Sequence, residues 1–201
     1  SHNTPIEIAW TVIPVLILAV IAFKSFPLLF KQEEIPNVAE SEIVDVKTYG
    51  RQWYWSYIYG SGDDEIYFDS NMIQDADLQP GQVAKLSVNN PMVVPAGKYI
   101  RLSVTASDVI HAWTIPAFAV KVDAVPGRLN QIWFKVDEPG VFYGQCSELC
   151  GINHAFMPIE VRVLPQDQYE TWLERVSEST AAGNEYLQTV QPLAAQVASA
   201  E

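Results

Sequence analysis

The residues best equipped for chemistry lie between 145 and 158, in the run Gln-Cys-Ser-Glu-Leu-Cys-Gly-Ile-Asn-His-Ala-Phe-Met-Pro. This run holds both cysteines of the chain, one of its three histidines and one of its three methionines. Cys146 and Cys150 are separated by three residues, with His154 and Met157 following at short, regular intervals. Thiolate, imidazole and thioether at this density are the ligand set of a soft transition metal, above all copper. His111 is the natural second imidazole, because the remaining histidine, His2, lies at the far end of the chain.

Other chemistries fit part of this set. Zinc would take two cysteines and two histidines and ignore the methionine. A single disulfide would need neither His154 nor Met157. A mononuclear copper site needs only one cysteine, so the second thiolate points to two sulfurs bridging two copper ions. Such a site is a one-electron relay, and no nucleophile–base pair accompanies it.

The elements that must position these ligands can be read from the rest of the chain. Residues 8–30 are almost wholly apolar, interrupted mainly by Thr11, Lys24 and Ser25. As a helix they would extend ~35 Å, enough to cross a hydrocarbon core of ~30 Å. Trp10 suits one interface and Lys24 can snorkel toward the other, and membrane helices tolerate residues such as Pro14 and Pro27. The stretch is too long for a signal peptide and has no basic n-region or small-residue cleavage site. Glu7, just ahead of it, reads either as a headgroup-level carboxylate or as a proton-entry group. Lys24 and Lys31 at the far end would, by the positive-inside rule, put the following domain in the cytoplasm.

The expected organisation is a transmembrane helix over 1–31, a linker over 32–42, a β domain over 43–165, and a C-terminal helix and tail over 166–201. Strand character appears at 43–48, 52–59, 83–88, 99–105, 131–136, 141–144 and 159–164. Short strands without intervening helices imply an antiparallel sandwich or small barrel. Within 166–177, Tyr169, Trp172, Leu173 and Val176 recur at helical spacing. Alternation along 52–59 would place Trp53 and Trp55 on one face and Tyr54 on the other. One of these aromatics, exposed beside the acidic Asp63, Asp64, Glu65 and Asp69, would suit partner docking. By itself an acidic run of this kind is usually a solvated loop. A net charge of −12 over 201 residues argues against a nucleic-acid footprint; by itself it serves solubility, and it also suits a basic protein partner.

Several motifs together carry a family resemblance. Gly144-Gln-Cys-Ser-Glu-Leu-Cys-Gly with His154 and Met157 resembles the dinuclear copper loop of cytochrome c oxidase subunit II. Asp108-Val-Ile-His-Ala-Trp-Thr-Ile-Pro, Asp123-Ala-Val-Pro-Gly-Arg-Leu-Asn-Gln, Gln52-Trp-Tyr-Trp-Ser-Tyr and Glu7-Ile-Ala-Trp-Thr-Val-Ile-Pro are similar to the same family, in its bacterial form. The resemblance runs from about His2 to Trp172.

It implies a cupredoxin-like barrel on the periplasmic face of a bacterial inner membrane, overriding the charge-based orientation. It implies that Cys146 and Cys150 bridge two coppers, His111 and His154 bind one each, and Met157 and the Glu148 carbonyl are weak axial ligands. The Glu148 side chain would bind magnesium shared with subunit I. Trp53 would admit electrons from a c-type cytochrome docked by Asp69 and Asp108, with Asp63, Asp64 and Glu65 assisting. Glu7 would open a proton-uptake path into subunit I, and subunit III would be a further partner. Arg51 and Ile58 depart from the usual residues at their positions, which bears on the detail of donor docking. The family normally has two membrane helices, of which this chain begins just before the second.

Overall fold

A computed structural model describes residues 2–62 and 65–190. The described residues divide after residue 37 into two compact units. The first is the helix α1, Thr4–Glu33, with no buried residue. Its cap explains where it starts. The Asn3 side chain accepts from the Ile6 N–H at 3.4 Å, and Glu7 Oε1 accepts from the Asn3 N–H at 3.2 Å. The two satisfy donors that a helix N-terminus otherwise leaves open. Thirty residues at ~1.5 Å each give ~45 Å, so α1 is long and apolar enough to cross a membrane.

Among the described residues the second unit has ten strands: β1 (Ile43–Arg51), β2 (Tyr54–Tyr59), β3 (Ile66–Ser70), β4 (Met92–Pro95), β5 (Tyr99–Ala106), β6 (His111–Ile115), β7 (Val120–Ala124), β8 (Asn130–Lys135), β9 (Gly140–Gln145) and β10 (Pro158–Leu164). They form sheets ordered β3-β2-β1-β5-β8 and β4-β10-β9, with β6-β7 as a separate ladder. Most neighbours are antiparallel, but β1 runs parallel to β5 and β10 parallel to β4. The residues between β1 and β5, and between β4 and β10, supply the crossovers that parallel pairing requires. The architecture is the mainly β, cupredoxin-like one expected.

Buried rows from facing strands make the core. Trp55, Tyr57 and Tyr59 point inward from β2, Ile100, Leu102 and Val104 from β5, and Ile159, Val161 and Val163 from β10. Two helices follow, α2 (Gln166–Glu178) and α3 (Thr180–Thr189). Trp172 of α2 packs edge-on against Tyr59 at 5.3 Å and against Phe68 at 6.5 Å. Gly183 lets α3 close on α2, since a Cβ there would lie 2.8 Å from that of Val176.

Four expectations change. Residues 83–88 form a turn, with the Leu86 and Ser87 N–H groups donating to the Val83 carbonyl and Lys85 at φ +66°; only Val88 bridges to Met72. Alternation alone could not separate that turn from a strand. Secondly, β2 begins at Tyr54, so Trp53 lies in the β1–β2 turn and shares no face with Trp55. Thirdly, α3 adds a second helix after α2. Finally, β3, β4, β6 and β7 are further strands; β4 is buried at every position, which removes the alternation that marks a half-buried strand.

Candidate metal centre

The run of candidate ligands is the connection between β9 and β10. Antiparallel pairing brings Gln145 opposite Pro158, which closes residues 146–157 into one loop at the end of the hairpin. The Cys146 N–H donates to the Met157 carbonyl at 3.4 Å across the loop base. The Ser147 N–H donates to the Ala112 carbonyl at 3.1 Å, tying the loop to β6. That bond matters because His111 is the first residue of β6, so loop and strand meet with the ligands between them.

The donor atoms converge. His111 Nδ1 and the sulfurs of Cys146 and Cys150 lie within 4.8 Å of one another. The sulfurs are unbonded, 3.9 Å apart. Cys146 Sγ stands 3.9 Å from His111 Nδ1 and 3.4 Å from the Glu148 carbonyl oxygen. Cys150 Sγ stands 3.6 Å from His154 Nδ1 and 3.5 Å from Met157 Sδ. Each sulfur therefore has its own imidazole and its own weaker donor. Cys146, Cys150, His111 and Met157 are all buried, whereas His154 is half-buried.

The electrostatics of the donor groups agree with a cation-binding role. Burial raises the Cys146 pKa, but hydrogen bonds with His111 and with the backbone at Glu148 and Ala112 outweigh it and hold the thiol below its ordinary value. Burial pushes Cys150 the other way, and the negative charge on Cys146 pushes it further. Two thiolates side by side need a cation to coexist. For His111, burial disfavours the charged ring, yet Cys146 and Asp108 raise its pKa overall. His111 Nε2 lies 2.8 Å from Asp108 Oδ1, so the Nε2–H donates to the carboxylate and leaves Nδ1 facing the sulfurs. Asp108 sits below the usual carboxylate value; burial opposes this, but His111 and the N–H groups of Val109 and Gln52 prevail.

This donor set fits copper. Two thiolates, two imidazoles and a thioether are all soft or borderline, and sulfurs 3.9 Å apart can both reach one ion at ~2.3 Å. Zinc would leave the buried Met157 without a part. Residues 146 and 150 are free thiols, not a disulfide.

The other sequence-identified residues are placed as follows. Trp53 is half-buried in the β1–β2 turn, with its indole against Gly151 of the metal loop; a Cβ at 151 would lie 3.1 Å from Trp53 Cζ2. Glu148 is exposed, between the buried cysteines. Exposed apolar side chains flank it, Leu149 at 78% and Ile152 at 86%, with Phe156 nearby in sequence. Asp69 is half-buried and accepts from Ser56 Oγ at 2.7 Å and Tyr67 OH at 2.6 Å, and Arg51 Nε donates to the same Ser56. Asp108, read as a docking acid, spends its carboxylate on His111, Val109 and Gln52. Glu65 is exposed and pairs with Lys47 at 3.7 Å. Glu7 caps α1. Asp63 and Asp64 lie outside the described residues.

Three residues to which the sequence reading gave no role pack around the donor set without supplying a donor atom. Gly50 of β1 lies under His111, where a Cβ would come within 2.8 Å of the imidazole. Gly151 leaves room for Trp53 and takes φ +127°, a conformation that favours glycine. Gln52 bonds both to Asp108 and, through its side chain, to the Cys150 carbonyl at 2.8 Å. Only Gly151, adjacent to Cys150, carried a positional signal.

Comparison with known proteins follows the same division of the chain. The model for the transmembrane domain of cytochrome c oxidase subunit II matches residues 1–28, and that for its periplasmic domain matches residues 44–164. A probable cytochrome c oxidase subunit 2 of Rickettsia bellii is 48% identical over 183 residues, 91% of this chain and 66% of the relative. Cytochrome c oxidase subunit 2 of Cereibacter sphaeroides is 46% identical over 198 residues, 90% of this chain and 63% of the relative. The chain thus spans somewhat less than two thirds of the length of these relatives. The crystal structure of the periplasmic domain of cytochrome oxidase subunit II of Bradyrhizobium japonicum is 50% identical with a TM-score of 0.60, covering 71% of this chain and 95% of that one. Helix and barrel each match their counterpart in sequence, and the barrel does so in shape as well: the chain belongs to the cytochrome c oxidase subunit II family.

Proposed function

We propose that this chain is the electron-accepting subunit of a cytochrome c oxidase. It receives electrons from a c-type cytochrome at a dinuclear copper centre and passes them to haem in subunit I, where oxygen is reduced to water and protons are pumped. The observation that carries this reading is the pairing at the β9–β10 loop: two adjacent sulfurs, each with its own imidazole and its own weaker donor.

Bound copper would supply a one-electron couple. Cys146, Cys150, His111, His154, Met157 and the Glu148 carbonyl would hold it. The protein's task is then to keep these donors still and dry. Asp108 orients His111, Gly50 admits its ring, and the barrel buries both sulfurs. A site held this rigidly changes little between oxidation states, which favours fast transfer.

Trp53 is the proposed entry residue, supported by its contact with the residue next to Cys150. Asp69, Asp108, Asp63, Asp64 and Glu65 form the proposed docking field for a basic donor, supported by the net charge of −12. Exposed Glu148, flanked by exposed Leu149 and Ile152, suits burial against subunit I and a shared magnesium ion there. Subunit III is a further proposed partner. Glu7 is the proposed mouth of a proton-uptake path, a role its capping bond would accompany. The setting is a bacterial inner membrane, with α1 in the bilayer and the barrel in the periplasm. Reduction of the copper-loaded chain by ferrous cytochrome c tests the reading: second-order reduction that slows with salt supports it, and no electron uptake by loaded protein refutes it.

A further inference from the structure

The β1–β2 turn offers the metal loop two residues, and the entry role uses only one of them. Trp53 touches the loop at Gly151, but the bonds that hold the turn in place belong to Gln52. Its backbone N–H donates to Asp108 Oδ2 at 2.7 Å, and Asp108 Oδ1 holds His111. Its side-chain Nε2–H donates to the carbonyl of Cys150 at 2.8 Å. One residue thus reaches both halves of the donor set, through His111 on β6 and Cys150 on the β9–β10 loop. These contacts join parts of the chain 56 and 98 residues away.

We propose that Gln52 is a positioning residue that clamps the Trp53 turn to the metal loop and so sets the coupling between the indole and the ligands. The inference rests on the reading of Trp53 as the point of electron entry. Gln52 as a whole is exposed, so packing does not hold its side chain; the bond to Cys150 does. The chemistry also selects the residue. A carbonyl acceptor requires a donor, and a carboxylate at this position would set two acceptors against each other. On the other side, a backbone N–H meets a carboxylate already committed to His111, making one continuous chain of polar contacts from turn to ligand. The indole has little freedom between them, since Gly151 leaves it just the space that a Cβ would fill.

The test uses the copper-loaded full chain assembled in its oxidase. Gln52→Met keeps length and volume, retains the backbone bond to Asp108 and removes only the side-chain donor. The saturating rate of reduction by cytochrome c should fall about tenfold while the half-saturating concentration stays the same. The copper absorption and electron-spin spectra should not change, and reduction by a small neutral reductant should proceed at the unaltered rate. Amide exchange at residues 52–54 should quicken. An unchanged saturating rate would overturn the proposal. So would a change confined to the half-saturating concentration, which would make Gln52 a docking contact, or an altered copper spectrum, which would make it a support of the ligands alone. Trp53→Ala, measured alongside, separates the two levels: if that variant is reduced as fast as the parent, the entry reading itself falls, and this proposal with it.

Discussion

His111 shows how much of a candidate metal site lies outside its donor atoms. Its Nδ1 faces the sulfurs because Asp108 holds Nε2, and its ring fits because residue 50 has no side chain. Gly50→Ala should therefore displace the imidazole, costing ~1–3 kcal/mol as an overpacked core position does. Denaturant unfolding and the copper spectrum measure the two effects together, and a variant with parental stability and spectrum would contradict this account of Gly50. Gly151→Ala acts at the other end of the loop. It strains a backbone at φ +127° and pushes on Trp53, so reduction by cytochrome c should slow even where copper still binds. The convergence of soft donors was legible in the sequence, because such residues cluster visibly in a chain with so few of them. Gly50, Gln52 and the duty of Asp108 toward His111 were not, since each acts through a tertiary contact with a residue distant in sequence or hidden by an unseen strand start.

At the scale of elements, β10 does two jobs. It closes the metal loop at Pro158 and carries Glu160 and Arg162 a few residues on. Glu160 is 1% exposed, accepts from the Val88 N–H at 3.0 Å and pairs with Arg162 at 2.9 Å. Glu160→Ala leaves a buried N–H and a cation without partners, and should cost ~3–5 kcal/mol. The copper spectrum should stay as it was, because the pair lies outside the donor set. Loss of copper binding in a folded variant would show instead that β10 transmits strain to the loop. The strands that alternate or carry β-branched runs, such as β1, β5 and β10, announced themselves. The turn at 83–88 imitated that pattern, and β4 escaped it by being buried throughout. Trp53 was misplaced for a related reason: an aromatic run looks like a strand whether its first residue is paired or turns a corner.

For the whole molecule, the family supplies the frame and the physics supplies what can be tested. The chain carries an apolar helix, a cupredoxin-like barrel and an acidic surface with exposed apolar side chains around Glu148. Fold class and a cluster of soft donors were readable because apolar runs and donor clusters are encoded locally, whereas two lysines at one end of α1 are a weak charge signal for its orientation. If acidic residues steer the donor, replacing Glu65 and Asp69 with amides should lower the reduction rate and flatten its dependence on salt. Stopped-flow reduction over a range of ionic strength measures this, and an unchanged salt dependence would remove both residues from the docking field. The claim beneath all of these is that two sulfurs hold two copper ions as one electron relay. Copper analysis of the purified chain, joined to its electron-spin spectrum, tests it most directly. The account predicts two coppers per chain and, in the oxidised form, one unpaired electron split equally by both nuclei. One copper per chain, or an unpaired electron confined to a single copper nucleus, would contradict it.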